Sequence, residues 1–140
     1  MTDESTSFPR LREVMVAGLD VGNLLVREEK VSILAPAYRD DELAAIVAII
    51  PRLVDIGCVE ICFVGPEAER FHNAIDAELE HREMLDVVTT GDEDIDEAFD
   101  YFLFASCGGE GKLLALIAGY DDLATLLLAK VASYNGAKDG

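Results

Sequence analysis

The stretch Asp86–Lys112, DVVTTGDEDIDEAFDYFLFASCGGEGK, decides the fold. Val87-Val88-Thr89-Thr90 is short and β-branched, the composition of a strand running from Asp86 to Thr90. The acids that follow favour the positive end of a helix dipole. Ile95, Phe99 and Phe102 then recur at i, i+4 and i+7, the spacing of one helix face. Gly108-Gly109 supplies a left-handed stop. That periodicity favours a helix over the alternative, in which Tyr101–Ser106 pairs with Leu113–Ala118 as a hairpin.

The same plan repeats outward in both directions. Val31–Ala35, ended by Pro36, and Val59–Val64 are apolar runs suited to buried strands, and Leu113–Ala118 is the last of them. Between them, Leu43, Ile46, Val47, Ile50 and Val54 recur at helical spacing, with Asp40 or Asp41 as cap, Gly57 as end, and Pro51 expected to kink or split the helix near Ile50. Phe71, Ile75 and Leu79 form the stripe of a one-sided surface helix after Gly65-Pro66, with Glu69, Asp76, Glu80 and Glu83 facing water. A final helix, capped by Asp121 or Asp122, is expected to run to about Tyr134 and stop at Asn135-Gly136.

Strands alternating with helices imply a single-domain α/β fold: a mostly parallel four-stranded sheet with helices on both faces. Counting those strands in chain order, the expected arrangement is 2-1-3-4. The domain covers residues 31–136. Residues 1–30 read as a polar tail and an irregular N-terminal extension packing on it. There Val14-Met15-Val16 and Leu24-Leu25-Val26 suit either a short helix or an edge hairpin.

Charge narrows the function. Among 140 residues, 28 acids face 11 Lys and Arg, a net charge of −17. The heaviest load lies between Glu67 and Asp100. Such a field repels nucleic-acid phosphate and anionic lipid and attracts a basic protein partner. Solubility, or a salt-rich cell interior, explains the same acidity. No apolar run approaches the roughly 20 residues of a membrane span, and MTDESTS is no signal peptide, so a cytoplasmic protein is expected.

The motifs that invite chemistry fail on detail. Gly108-Gly109-Glu110-Gly111-Lys112 resembles a phosphate loop, but Ser106 stands where glycine is needed and Leu113 where Ser or Thr is needed, and a strand follows instead of a helix. Cys58 and Cys62 lack a second pair for zinc, so with Cys107 they read as thiols of a reducing compartment. His72 and Asp76 share a helix face without a third ligand. No nucleophile–base set can be ordered from two histidines on one solvated helix. Neither a cofactor nor a metal is expected.

Two surfaces stand out. Order 2-1-3-4 brings the segment after the first strand beside the segment after the third, where open α/β sheets bind ligands. Tyr38, Asp40, Asp41, Thr90, Asp92, Glu93 and Asp94 then line an acidic crevice able to hold a hard cation such as Mg²⁺, although each acid also suits a helix cap. On the helix after Gly91, at about 100° per residue, Phe104 points away from Ile95 and lies among Asp96, Glu97, Asp100 and Tyr101. An aromatic ringed by carboxylates is the make-up of a protein-binding anchor. The alternative is that Val14, Val16 and Leu25 fold over it.

Ile56-Gly57-Cys58, Val87-Val88-Thr89-Thr90 and the acidic run into Glu97-Ala98-Phe99-Asp100-Tyr101-Phe102 and Cys107 resemble a group of small uncharacterised bacterial α/β proteins. The likeness spans Val31 to Gly119. Gly91-Asp92 stands where that group carries Trp-His, which removes the one histidine that suggested chemistry. The resemblance implies the fold and no activity.

An acidic, non-enzymatic protein-binding domain is therefore expected, with an immunity protein that neutralises a basic toxin as its concrete form. The alternative is a ligand- or divalent-cation-binding domain, and so a possible enzyme, working in the strand-end crevice. The apolar residues of the last helix cover more than one face and also suit a homodimer contact.

Overall fold

The chain runs through β1 (Met15–Val16), β2 (Val31–Pro36), α1 (Asp40–Asp55), β3 (Cys58–Val64), α2 (Ala68–His81), β4 (Val88–Asp92), α3 (Ile95–Asp100), a π-helical turn (Tyr101–Ala105), a 3₁₀ turn (Ser106–Gly109), β5 (Lys112–Ala115) and α4 (Asp121–Asp139). The computed structural model describes residue 11, residues 14–19 and residues 30–139. Leu24-Leu25-Val26 lies outside the described residues. Met15–Val16 is not helical but a two-residue edge strand, parallel to β5.

The five strands among the described residues are all parallel, in the order β1-β5-β2-β3-β4. Counted as the four predicted strands, the order is 4-1-2-3, not 2-1-3-4. The reason is legible in β4. Order 2-1-3-4 places VTTGD inside the sheet, but its residues are too polar for burial on both faces, and Val88 and Gly91 are exposed. The chain steps outward through β2, β3 and β4, and the α3 connection then returns it to the other side of β2.

Two cores form on the two faces of the sheet. Ile33, Ile61 and Phe63 pack with Ile46 and Ile50 of α1 and Phe71, Ile75 and Leu79 of α2. Leu34, Cys62 and Val64 pack with Phe99, Phe102 and Leu103 and with Leu123 and Leu127 of α4. Strand residues alternate between these cores, as the period of two requires.

Three local expectations change. Pro51 does not split α1, which runs unbroken from Asp40 to Asp55. Proline leaves the carbonyl four residues earlier without its donor; that carbonyl is Val47 O, and Nη2 of Arg82, the residue that caps α2, reaches it at 3.5 Å. Asp40 and Asp41 are first-turn residues of α1 and not its cap; Arg39 is the N-cap, and Glu42 reaches back to its N–H at 3.0 Å. α4 passes through Asn135-Gly136 to Asp139. Gly136 permits a stop there without enforcing one. Among the described residues no helix is long and apolar enough to cross a membrane.

Candidate functional site

In an open parallel sheet the ligand crevice forms where neighbouring strands lead off in opposite directions. Here that is the gap between the carboxyl ends of β2 and β5, and the chain's own side chains occupy it. Glu42, 2% exposed, accepts from Tyr38 N–H at 2.8 Å, from Arg39 N–H at 3.0 Å and from the Tyr120 hydroxyl. Tyr38 and Tyr120 stack above it with centroids 5.0 Å apart. Burial, then the bond to Glu42, pushes the Tyr120 hydroxyl up to about 12. Burial raises Tyr38 as well, with the Glu42 charge adding to it. This is a filled joint between α1 and the last strand. Its signal in the sequence was Glu42, placed three residues after the residue preceding the helix, as in a capping box.

The acidic crevice expected from the sequence is not assembled. Pro36 pairs with Val64 and Val64 with Asp92, so β3 stands between the two groups of acids. Asp40 pairs with Arg70 at 2.5 Å and Asp41 with Arg39 at 3.1 Å. Asp92 accepts from Asp94 N–H at 2.9 Å, and Asp94 caps α3 by accepting from Glu97 N–H at 3.0 Å. Thr90 lines a cavity of about 130 Å³ with Asp92 and Tyr101, and Tyr38 belongs to the stacked joint. Glu93 is exposed. Among the described residues no three His, Cys, Asp or Glu side chains come together as metal ligands would.

The face of α3 is also different from its helical wheel. The helix widens into a π turn at Tyr101–Ala105, and the extra residue per turn rotates every later side chain. Phe102 and Leu103 are both buried, and Phe104 is half-buried, edge-to-face with Tyr134 of α4 at 4.6 Å. Lys130 of α4 bridges Asp96 at 2.8 Å and Asp100 at 2.9 Å, and these two carboxylates raise its pKa. Tyr101 gives its hydroxyl to Glu60 at 2.5 Å. Glu97 remains exposed, its carboxyl raised by the charges of Asp92 and Asp94. The five residues therefore point to several partners within the fold and form no single patch. On α4, Leu123, Leu127 and Val131 are buried, while Leu126 and Leu128 are exposed.

Glu60 is a residue that motif reading passed over. It sits in the apolar strand CVEICFV, is 3% exposed, and accepts from the Tyr101 hydroxyl and from Cys107 N–H at 2.8 Å. It ties the π turn and the left-handed Cys107, at φ 53°, to the centre of the sheet. One acid in an otherwise apolar strand was the available signal, since a buried carboxylate needs donors. Cys58 and Cys62 are buried cysteines, and burial pushes the Cys58 thiol up to about 12.

The remaining surface is the outer edge of β4. Its strand is pinned to α2 through Thr89, whose hydroxyl donates to Asp76 at 2.5 Å and contacts His72 Nδ1 at 2.5 Å. Gly91 permits the close approach, because a Cβ there would lie 2.7 Å from Ala68 O. α2 closes with Glu83 N–H on Glu80 O and Met84 N–H on Leu79 O, a Schellman turn with Glu83 at φ 59° where glycine is favoured. Beyond that turn Leu85 is 72% exposed and Val88 52%. They border a hollow of about 190 Å³ shared with Asp76, Leu79, Glu80 and Met84. Glu80, Glu83, Asp86 and Glu93 stand exposed around this edge, without a cationic partner among the described residues.

Residues 28–131 match a family described as a domain of unknown function, DUF7684. No curated protein and no solved structure matches the chain.

Proposed function

The chain belongs to the DUF7684 family, and from the geometry of its sheet edge we propose that it is a non-enzymatic protein-binding domain that docks a basic partner along β4. One observation carries this reading: Leu85 and Val88 are both exposed and border one hollow at a strand edge, near exposed carboxylates that have no cationic partner among the described residues. Apolar contact at the centre holds a partner, and like-signed charge at the rim steers an oppositely charged one. Glu83 supports it, because a side chain held at positive φ carries a conformational cost that glycine avoids. The footprint thus moves from the outer face of α3, where Asp96 and Asp100 are bound to Lys130, to the β4 edge and the acidic turn after it. Neutralisation of a basic toxin is the concrete form of this reading.

Capture of basic proteins from the source cell at low and high salt tests it, followed by calorimetry on the purified partner. Reversing Glu80, Glu83 and Asp86 to lysine is expected to weaken binding by roughly tenfold or more and to flatten its salt dependence. Asp96→Asn with Asp100→Asn is expected to leave affinity unchanged. Equal affinity of the partner for wild type and the triple reversal would remove the proposed surface.

A further inference from the structure

The two edges of the sheet are treated differently. β1 has two residues, too short to template another strand, whereas β4 has five. Proteins blunt long edges with lysine, proline, bulges or a covering element. β4 reads Val-Thr-Thr-Gly-Asp, with no lysine or proline, and pairs with β3 without a bulge. Its inner hydrogen bonds define its outer ones. Gly65 N–H donates to Asp92 O at 3.3 Å. Alternate residues of a strand turn their amide and carbonyl to opposite sides, so Val88, Thr90 and Asp92 address β3, while Thr89 and Gly91 address the outer edge, where no further strand pairs among the described residues. The Thr89 clip to Asp76 and the tight seat of Gly91 on Ala68 hold those groups in place.

We infer that β4 accepts an extended, basic segment of the partner as a sixth strand. This rests on the reading of the β4 edge as the docking site and adds its mode. Main-chain bonds to Thr89 and Gly91 supply register, and alternate side chains reach the Leu85–Val88 hollow and the carboxylates of Glu80 and Asp86. A second copy of this chain is the poorer occupant, since it brings the same acids to the same edge and like charges repel.

The probe is a short synthetic peptide alternating lysine and valine, compared with the same peptide N-methylated at every second residue. Methylation removes the backbone donors on one edge and leaves charge and side chains in place. With wild-type protein, the unmethylated peptide is expected to bind roughly tenfold or more tightly than the methylated one, and to protect the Thr89 and Gly91 amides from hydrogen exchange. Equal binding of both peptides, abolished by the Glu80, Glu83 and Asp86 reversals, would overturn strand addition and leave basic docking standing. Failure of both peptides to bind would overturn both. Dimerisation of the protein alone with the same amides protected would make a second copy the occupant and overturn the basic segment.

Discussion

The acids of this protein fall into two regions. Towards α3 and α4 several are engaged within the fold: Glu60 holds Tyr101 and Cys107, Glu42 holds Tyr38 and Tyr120, Asp94 caps α3, and Asp96 with Asp100 clamps Lys130. Around the β4 edge, Glu80, Glu83, Asp86 and Glu93 are exposed and have no such partners among the described residues. The sequence lists all of them as the same charge. The difference teaches that net charge is not the relevant quantity. An acid that satisfies buried donors belongs to stability, and an acid that satisfies none is available to another molecule.

The comparison breaks most visibly at Glu60. Glu60→Ala strips the acceptor from a phenol and from the backbone of the left-handed Cys107, a loss of about 3 kcal/mol in urea unfolding. Glu80→Ala at the exposed edge is expected to change stability by no more than about 0.5 kcal/mol. Similar losses at both sites would erase the distinction.

How much of this was readable beforehand follows from the same two regions. Elements with one strong period were legible: the α/β class, the four main strands, and the helix over Ile95, Phe99 and Phe102 in place of a hairpin. Strand order was not, because periodicity says which residues are buried and not which strand is the neighbour. The polarity of Val-Thr-Thr-Gly-Asp was the overlooked signal that β4 is an edge. Phe104 was misplaced because a constant helical wheel cannot anticipate the π turn at Tyr101–Ala105. Tyr101 and Asp100 were read as surface acids and aromatics, although Glu60 and Lys130, at 41 and 30 residues' distance, take them up. Such long-range pairing leaves no local trace.

The tyrosines sharpen the contrast through pH. The Tyr120 hydroxyl, ordinarily ionising near pH 10, is pushed up to about 12 by burial and by its bond to Glu42. Tyr101 is raised for the same two reasons, with Glu60 as its acceptor. The folded state therefore holds these protons more tightly than the unfolded chain. The stability they contribute is intact below about pH 10 and is lost as pH rises through the folded value. Melting temperature is expected to fall across that alkaline window, and to fall less steeply in Tyr120→Phe. Phenolate absorbance followed in parallel is expected to appear late for these two tyrosines. An alkaline limb unchanged by Tyr120→Phe would detach the stacked joint from stability.

A smaller effect is expected at Lys130. Its side chain is 17% exposed between Asp96 and Asp100, which are themselves far more open to water. Exposed partners screen such pairs, so Lys130→Ala is expected to destabilise by only about 1 kcal/mol, part of it from lost packing of the lysine stem. The Asp96→Asn, Asp100→Asn double variant should then lose little more when Lys130 is also removed. Additive losses in that cycle would show that the three residues do not act together.

The finest test sets two acids at helix ends, Asp94 and Glu83, against each other. Asp94 accepts from Glu97 N–H and begins α3, so Asp94→Ala is expected to cost about 1 kcal/mol. Glu83 sits at φ 59° in the turn after α2 with its side chain exposed. Glycine adopts that conformation without strain, so Glu83→Gly is expected to stabilise the protein by up to about 1 kcal/mol. If β4 is the docking edge, the same substitution removes one rim carboxylate and weakens binding of a basic peptide. Stability and binding then move in opposite directions at Glu83 and stability alone moves at Asp94. A Glu83→Gly variant that gains stability and binds the peptide as before would mean that this acid has no part in recognition.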